Sequence, residues 1–312
     1  MSRPVAQVLE SYNRASKQAL GHDEAVDDLE RSWNSGANIP ESFWDFIPIR
    51  LVTLIEAQAR YVIAQAIDSS DQFKDNATKL IDRWSARQVL DALAVIGQGR
   101  ITIGELAAHS VAVGRYPELI ETLEKIFGLG VESELRTTGE VWIEDAGEPV
   151  PNIIADYELT KKFVKKLFHA RHILVHETPA KRPYELSDIP SFIAHARQFI
   201  QALYWFGLKR TLGPVPRTQL MMTLSAHDEA AEAEAALWAL RGMSSDEAAQ
   251  RKTRPQEIEA AWDQFAQLSA EEAAAEWEGG TGQSMARSAA YASLNGWRVE
   301  QLRAAARRKG ES

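Results

Sequence analysis

Apolar side chains recur at helical spacing through most of the chain, and this periodicity limits the fold more than any other feature of the sequence. Between Pro40 and Ile67 they form one broad apolar face made of Phe43, Phe46, Ile47, Leu51, Leu54, Ile55, Ala59, Val62, Ile63 and Ile67. An amphipathic helix buries one such face, whereas a half-buried strand has apolar residues at every second position. The pattern therefore predicts an all-α protein.

The same spacing predicts helices over about 102–112, 117–127 and 188–212, and it also runs from Asn152 to Val175, where Pro179 ends it. Only the segment 130–151, with Val141, Trp142 and Ile143 at its centre, indicates a strand or a small hairpin. We expect the first 212 residues to form a helical bundle. The helix that ends near Val175 should pack between the helices at 40–67 and 188–212.

The chain has 312 residues, which exceeds the usual size of a single hydrophobic core. Its clearest break is the sequence Gly213-Pro214-Val215-Pro216, because glycine and proline interrupt helices. We therefore predict three parts. Residues 1–215 form the bundle, residues 216–250 form an Ala/Glu-rich helical connector, and residues 251–312 form a small helical hairpin.

The composition of the chain indicates the compartment in which the protein is expected to work. The chain contains no cysteine, which excludes disulfides and thiolate metal sites and favours a reducing compartment. No apolar leader of signal-peptide length follows Met1, and no stretch reaches the roughly 18 apolar residues of a membrane span. We expect a cytoplasmic protein without membrane contact. The net charge of -9 also argues against a general nucleic-acid coat.

One element is basic in this acidic protein. The segment 151–182 holds seven basic and three acidic side chains, a local charge of +4: Lys161, Lys162, Lys165, Lys166, Arg171, Lys181 and Arg182 against Asp156, Glu158 and Glu177. Such a segment is typical of an anion-binding surface, but a solvated lysine face on a surface helix would have the same composition.

Arg171, His172 and His176 lie within this basic element, at the end of the expected helix. Arginine binds phosphate bidentately, and imidazole transfers protons near neutral pH. At about 100° per residue, His172 and His176 share a helix face, whereas Arg171 and His176 point about 140° apart. An arginine, a following polar residue and a histidine after four intervening residues in a helical protein resemble the signature of the HEPN ribonucleases.

This resemblance implies a metal-independent endoribonuclease that works as a homodimer in stress or phage defence, often as a toxin. Two motif helices would meet across a two-fold axis. His176 would transfer protons, Arg171 would bind the phosphate, and His172 would orient the RNA. Glu56 stands where related chains often carry an acidic residue, and we expect it to pair with Arg171.

Other interpretations of these residues remain open. The first alternative is a non-catalytic HEPN module that binds nucleotides or partners. His176 can instead satisfy carbonyls at the helix end, Arg171 can bridge to an acidic neighbour, and Glu56 can be a structural ion-pair partner. His169, His172 and His176 share one helix face, but such triads on one helix rarely converge on an ion, and we expect neither metal nor cofactor.

The last residues carry a second resemblance. The spacing of Trp262, Phe265, Gly279-Gly280-Thr281, Leu294, Arg298 and Leu302 is similar to the helical domain of LprI-type lysozyme inhibitors. Alanines stand on or near the expected cysteine positions, at Ala270 and Ala290. Because export and a disulfide go with inhibition, we do not carry that activity over. Trp262 and Trp277 are expected to pack in the core, or to form a face for an antitoxin or another protein partner.

Overall fold

The computed structural model describes residues 21–35, 40–81, 91–92, 94, 96, 101–145, 148–177, 179, 181–251, 255–275 and 282–310. Within these residues the regular structure consists of eleven α-helices and a few single 3-10 turns, with no strand. The prediction of an all-α protein is therefore confirmed. None of the described helices is both long and apolar enough to cross a lipid bilayer.

The described residues form two compact units. The first comprises the described residues up to Val141 together with Asp145–Val215, and the second comprises Trp142–Glu144 together with the described residues from Pro216 onward. The first unit contains the helices α1 (Gly21–Asn34), α2 (Phe46–Ser69), α3 (Asp71–Ile81), α4 (Ile103–Ser110), α5 (Tyr116–Phe127), α6 (Val131–Thr137), α7 (Tyr157–His176) and α8 (Ile189–Thr211).

The α2 helix forms the centre of the first unit and contacts α4, α7 and α8. Its apolar face and that of α8, with the fully buried rings of Phe192, Phe199 and Phe206, make most of the core. Gly207 lets these two helices approach closely, since a Cβ atom there would lie 2.7 Å from Val62 Cγ1. The α7 helix contacts both α2 and α8, as its apolar spacing predicted.

Local signals set the two ends of α7. The Asp156 carboxylate accepts a hydrogen bond from the backbone N–H of Leu159 at 2.9 Å, so the helix begins at Tyr157 rather than near Asn152. At the other end, Glu177 is extended and Pro179 follows two residues later. Because proline disfavours helix in the residue before it, the motif falls on the last turns of α7.

The strand or hairpin expected within 130–151 is not formed. Among the described residues, this region contains only an isolated antiparallel bridge between Gly139 and Asn152 and a 3-10 turn over Ile143–Asp145. The Trp142 ring packs beneath the Arg217 guanidinium instead of facing a neighbouring strand, and its centroid lies 5.2 Å from Arg217 Cζ. Without cross-strand partners, an apolar triplet is too short to form a ladder.

The second unit contains α9 (Gln219–Arg251), α10 (Pro255–Ala275) and α11 (Gln283–Gly310). The α11 helix packs along both α9 and α10. His227 in α9 bonds to the hydroxyls of Ser284 and Ser288 in α11, at 3.1 and 3.0 Å. The described part of α9 is thus one of three helices that pack together in this unit, and the division into a connector at 216–250 and a hairpin at 251–312 stays a prediction.

Candidate functional site

Several interactions hold the α7 helix in place against α8. Lys166 Nζ lies 2.6 Å from Asp188 Oδ2, and the hydroxyl of Thr160 lies 2.9 Å from His195 Nδ1. The His195 ring stacks on Phe163 with the centroids 4.7 Å apart. Burial lowers the pKa of His195, although Asp156 partly opposes this effect. These interactions lie along the first two thirds of α7 and fix the direction in which its last turns project.

The last turns carry the motif. The His172 and His176 rings lie 5.1 Å apart, which confirms that they share a helix face. His176 is exposed at the final residue of the helix, and Arg171 is partly buried. Within the described part of the chain, the Arg171 guanidinium has neither an ion pair nor a hydrogen bond. An unpaired, partly buried cation on the same last turns of a helix as two imidazoles is suited to binding an anion.

Glu56 does not join this group by an ion pair. Its Oε2 atom lies 3.6 Å from Nη1 of Arg60, one helical turn further along α2. The carboxylate also lies close to Gly114 in the turn between α4 and α5. The expected pair between Glu56 and Arg171 is therefore not formed within this chain, because Arg60 supplies the nearer cation.

A hydrogen-bonded cluster that we did not predict closes the end of the bundle where α7 stops and α2 begins. Asp45 Oδ1 accepts from Arg182 Nε and from the Tyr184 hydroxyl, each at 2.7 Å. Burial and the bond to Asp45 raise the pKa of Tyr184. The segment that follows the motif is thereby tied to the start of α2. Composition alone marked Arg182 as basic but gave no sign of its partner.

The basic element divides into paired and unpaired cations. Three of its seven cations form ion pairs, Lys161 with Glu132, Lys166 with Asp188 and Arg182 with Asp45. Lys165 lies over the Tyr116 ring at 5.3 Å. The cations that remain without an ion pair or ring contact in the described region are Lys162, Arg171 and Lys181. Arg171 is partly buried, whereas the two lysines are exposed.

A second group of ionisable side chains with shifted pKa values forms a closed network away from the motif. The Tyr116 hydroxyl donates to Glu132 at 2.7 Å and lies 3.2 Å from the Tyr157 hydroxyl. Burial raises the pKa of Glu132, but the bonds from Lys161 and Tyr116 outweigh it and the net shift is downward. Burial raises the pKa of Tyr157 to about 12. These groups satisfy one another, which indicates a structural role.

The three histidines on α7 do not assemble a metal site. Among the residues that the structure describes, no three histidine, aspartate or glutamate side chains are placed to hold a metal ion. His169 is exposed one turn before His172.

In the second unit, Trp262 lies between Phe265 and Trp297, with ring centroids 5.4 Å from each. Its indole N–H points to Asn295 Oδ1 at 3.4 Å. Trp277 and the sequence Gly279-Gly280-Thr281 lie outside the described residues. Ala270 is buried, and Ala290 is partly buried.

Comparison of the chain with models of known protein families, with curated proteins and with solved structures found no match. The two resemblances therefore rest on the residues quoted for them.

Proposed function

We propose that this protein is a metal-independent endoribonuclease of the HEPN type. The observation that carries the proposal is the state of Arg171, which is partly buried and has no ion pair or hydrogen bond among the described residues, on the same last turns of α7 that carry the His172 and His176 rings. A buried or partly buried arginine with a purely structural role usually forms an ion pair with a carboxylate. The donors of Arg171 are therefore free for a phosphate, and the two imidazoles lie on the same last turns of α7.

The chemistry follows from these side chains. The ribose 2′-hydroxyl attacks the neighbouring phosphorus as an imidazole accepts its proton. The bond from phosphorus to the 5′-oxygen breaks, and a protonated imidazole returns a proton to that oxygen. Arg171 binds the phosphate oxygens while negative charge develops on them, and His172 orients the RNA. The products end in a 2′,3′-cyclic phosphate and a 5′-hydroxyl, and DNA is not cut because it lacks the attacking hydroxyl.

One chain supplies only part of this set. Arg171 and His176 are five residues apart on α7, so they point about 140° apart. A homodimer would place the motif of a second copy opposite the first and provide both an acid and a base. Exposed apolar side chains near this end of the bundle support such an interface: Phe43 is 64% exposed, Phe46 58% and Val175 47%.

Cleavage of structured and unstructured RNAs in excess EDTA tests the proposal. His176→Ala and Arg171→Ala should each lower the rate by about a hundredfold or more, since general acid/base catalysis contributes roughly 10²–10⁴-fold. His169→Ala and Lys162→Ala remove an exposed imidazole and an exposed unpaired cation from the same helix, and both should cut like the wild type. Glu56→Ala should have a smaller effect than His176→Ala. If wild type is inert, or if the motif variants match their controls, the nuclease proposal fails.

Sedimentation tests the dimer separately. The wild type should sediment as a dimer at micromolar concentration, and Phe46→Ser should shift it toward monomer and lower the cleavage rate in parallel. Leu129→Ser, which changes an exposed apolar residue in the loop between α5 and α6, is the matched control. A monomeric wild type that cleaves RNA would contradict the composite site.

The alternative is a non-catalytic HEPN module that binds nucleotides or protein partners. The pairing of Glu56 with Arg60 favours it, because the acidic group is held away from Arg171. Nucleotide binding that depends on Arg171 without any cleavage would support this alternative. In either case we place the protein in the cytoplasm, in stress or phage defence, with an antitoxin or another partner binding through the second unit.

A further inference from the structure

The second unit contains a groove that the proposed active site does not use. All three of its helices contribute to the lining, and the positions on α9 (227, 230, 231 and 234) and on α10 (263, 267, 270 and 271) each follow helical spacing. One face of α9 and one face of α10 therefore form two sides, and α11 supplies the third. The groove has a volume of about 520 Å³, which lies within the range of roughly 300–1,000 Å³ that is usual for small-molecule sites.

Hydrogen bonds hold two sides of the groove together. The Ser288 hydroxyl on α11 lies 3.0 Å from Nδ1 of His227 on α9, and Nε2 of the same ring lies 3.1 Å from the Ser284 hydroxyl. Ser288 is 7% exposed, so its bond to His227 is shielded from solvent. Alanines on α9 and α10, among them Ala230 and Ala270, leave the space between the helices open. The groove is thus built on a fixed pair of helices.

Side chains of both charges line this groove. Three carboxylates belong to its two outer sides, Glu234 on α9 and Asp263 and Glu271 on α10. One cation, Arg287 on α11, lines the same groove. The Tyr291 hydroxyl lies one helical turn after Arg287 and adds a neutral donor. The lining therefore presents three negative charges and one positive charge.

The opposite charges of the groove are kept apart. Among the described residues, Arg287 and Glu234 have neither an ion pair nor a hydrogen bond, although both line one groove. A ligand with only negative charge, such as a phosphate, would face three carboxylates, and like charges at close range are unfavourable. A ligand with only positive charge would leave the Arg287 guanidinium unpaired. The lining is complementary to a small molecule that carries two positive charges and one negative charge.

We propose that this groove binds a free basic amino acid, such as arginine or lysine. Its α-carboxylate binds Arg287, because a guanidinium binds a carboxylate bidentately, and it also accepts from the Tyr291 hydroxyl. Its α-ammonium group and its side-chain cation bind the carboxylates on the two outer sides, including Glu234. None of these residues belongs to α7, so the inference does not depend on the proposed ribonuclease activity.

Isothermal titration calorimetry on the full-length protein tests the role of Arg287, with L-arginine and agmatine as the probes. Agmatine is arginine without its carboxylate. Arg287→Gln should weaken L-arginine binding about tenfold, because a hydrogen bond between charged groups contributes a corresponding free energy. Agmatine should bind the wild type about tenfold more weakly than L-arginine does, and Arg287→Gln should not weaken it further. The control is Arg303→Gln, an exposed arginine on α11 that does not line the groove, and it should bind as the wild type does.

A second pair of variants tests the cation side of the ligand. Glu234→Gln should weaken the binding of both L-arginine and agmatine, since both carry the cationic groups. Glu272→Gln removes an exposed carboxylate of α10 that does not line the groove, and it should leave both affinities unchanged.

Three results would overturn the inference. The first is the absence of binding by L-arginine and L-lysine at millimolar concentration. The second is agmatine that binds as tightly as L-arginine and independently of Arg287, which would identify a polyamine site. The third is L-arginine affinity that neither Arg287→Gln nor Glu234→Gln changes. RNA cleavage plays no part in the titration, so failure here and failure of the nuclease are distinguishable.

Discussion

Replacing Asp45 with alanine should destabilise the first unit by about 2 to 4 kcal/mol. The change removes the acceptor for Arg182 Nε and for the Tyr184 hydroxyl, each at 2.7 Å. Tyr184 is only 4% exposed, so its hydroxyl loses its partner without gaining water, which costs about 1 to 3 kcal/mol. The Asp45 and Arg182 side chains are 31% and 21% exposed, so solvent screening reduces their pair to about 1 kcal/mol.

A second substitution gives this reasoning a sharper test. Tyr184→Phe alone should cost about 1 kcal/mol, because it removes one hydrogen bond from a buried ring. In the Asp45→Ala background the same change should cost nothing or be slightly stabilising, since the hydroxyl no longer has a partner. The double-mutant cycle should therefore show a coupling of about 1 kcal/mol or more.

Urea unfolding measures both effects, with the slope checked for each variant so that a shifted midpoint reports stability. Hydrogen exchange should also quicken over residues 177–188 in Asp45→Ala. The control is Asp75→Ala, an exposed aspartate on α3 in the same unit, which should change stability by less than about 0.5 kcal/mol. The role given to Asp45 would be refuted if Asp45→Ala unfolded at the same urea concentration as Asp75→Ala. It would also be refuted if Tyr184→Phe lowered the free energy of unfolding equally in both backgrounds.

Three further predictions concern packing, pH and metal. Gly207→Ala should destabilise the protein by about 1 to 2 kcal/mol, because the new Cβ would lie 2.7 and 2.9 Å from the two methyls of Val62. A Cβ at Gly296 would meet nothing within 4 Å, so Gly296→Ala should stabilise the protein by up to about 1 kcal/mol. Urea midpoints of the two variants that moved in the same direction would contradict this. Burial lowers the pKa of His195, so the unfolded chain binds a proton at this residue more readily than the folded chain does. The stability that this group contributes above about pH 6.5 should therefore be lost as the pH falls through the folded pKa. The melting temperature of His195→Asn should fall less with decreasing pH than that of the wild type. Excess EDTA should change neither the melting temperature nor the zinc content of purified protein, and one bound zinc per chain would reverse our preference for a metal-free site.

Periodicity carried most of the fold prediction. It located α2, α7 and α8 and the contacts of α7 with both of the others, because an amphipathic helix buries its one apolar face. Apolar content could not distinguish the triplet 141–143 from a strand, since strand formation depends on a neighbour that sequence spacing does not reveal. The packing of α9 along α11 could not be predicted for a similar reason, because the apolar residues of α9 are not concentrated on one face.

The candidate site was predicted in part. Helical geometry alone placed His172 beside His176, and the structure confirms it. The ion-pair partners of charged side chains could not be predicted from the sequence. Glu56 pairs with Arg60 on its own helix, and Arg182 pairs with Asp45 from a distant part of the chain. A single sequence gives the number of charges in a segment but does not indicate which of them will remain unpaired. That difference is what distinguishes Arg171 from the paired cations around it.

The bonds from Arg182 and Tyr184 to Asp45 also bear on the order of folding. They join residues 137 and 139 positions apart, whereas the bonds between α7 and α8 join residues 22 to 38 positions apart. Contacts close in sequence form sooner, because less chain entropy is lost in closing the loop. During synthesis, Asp45 leaves the ribosome long before either partner exists. The α7 and α8 pair can therefore assemble first, and the end of the bundle beside the motif is completed last.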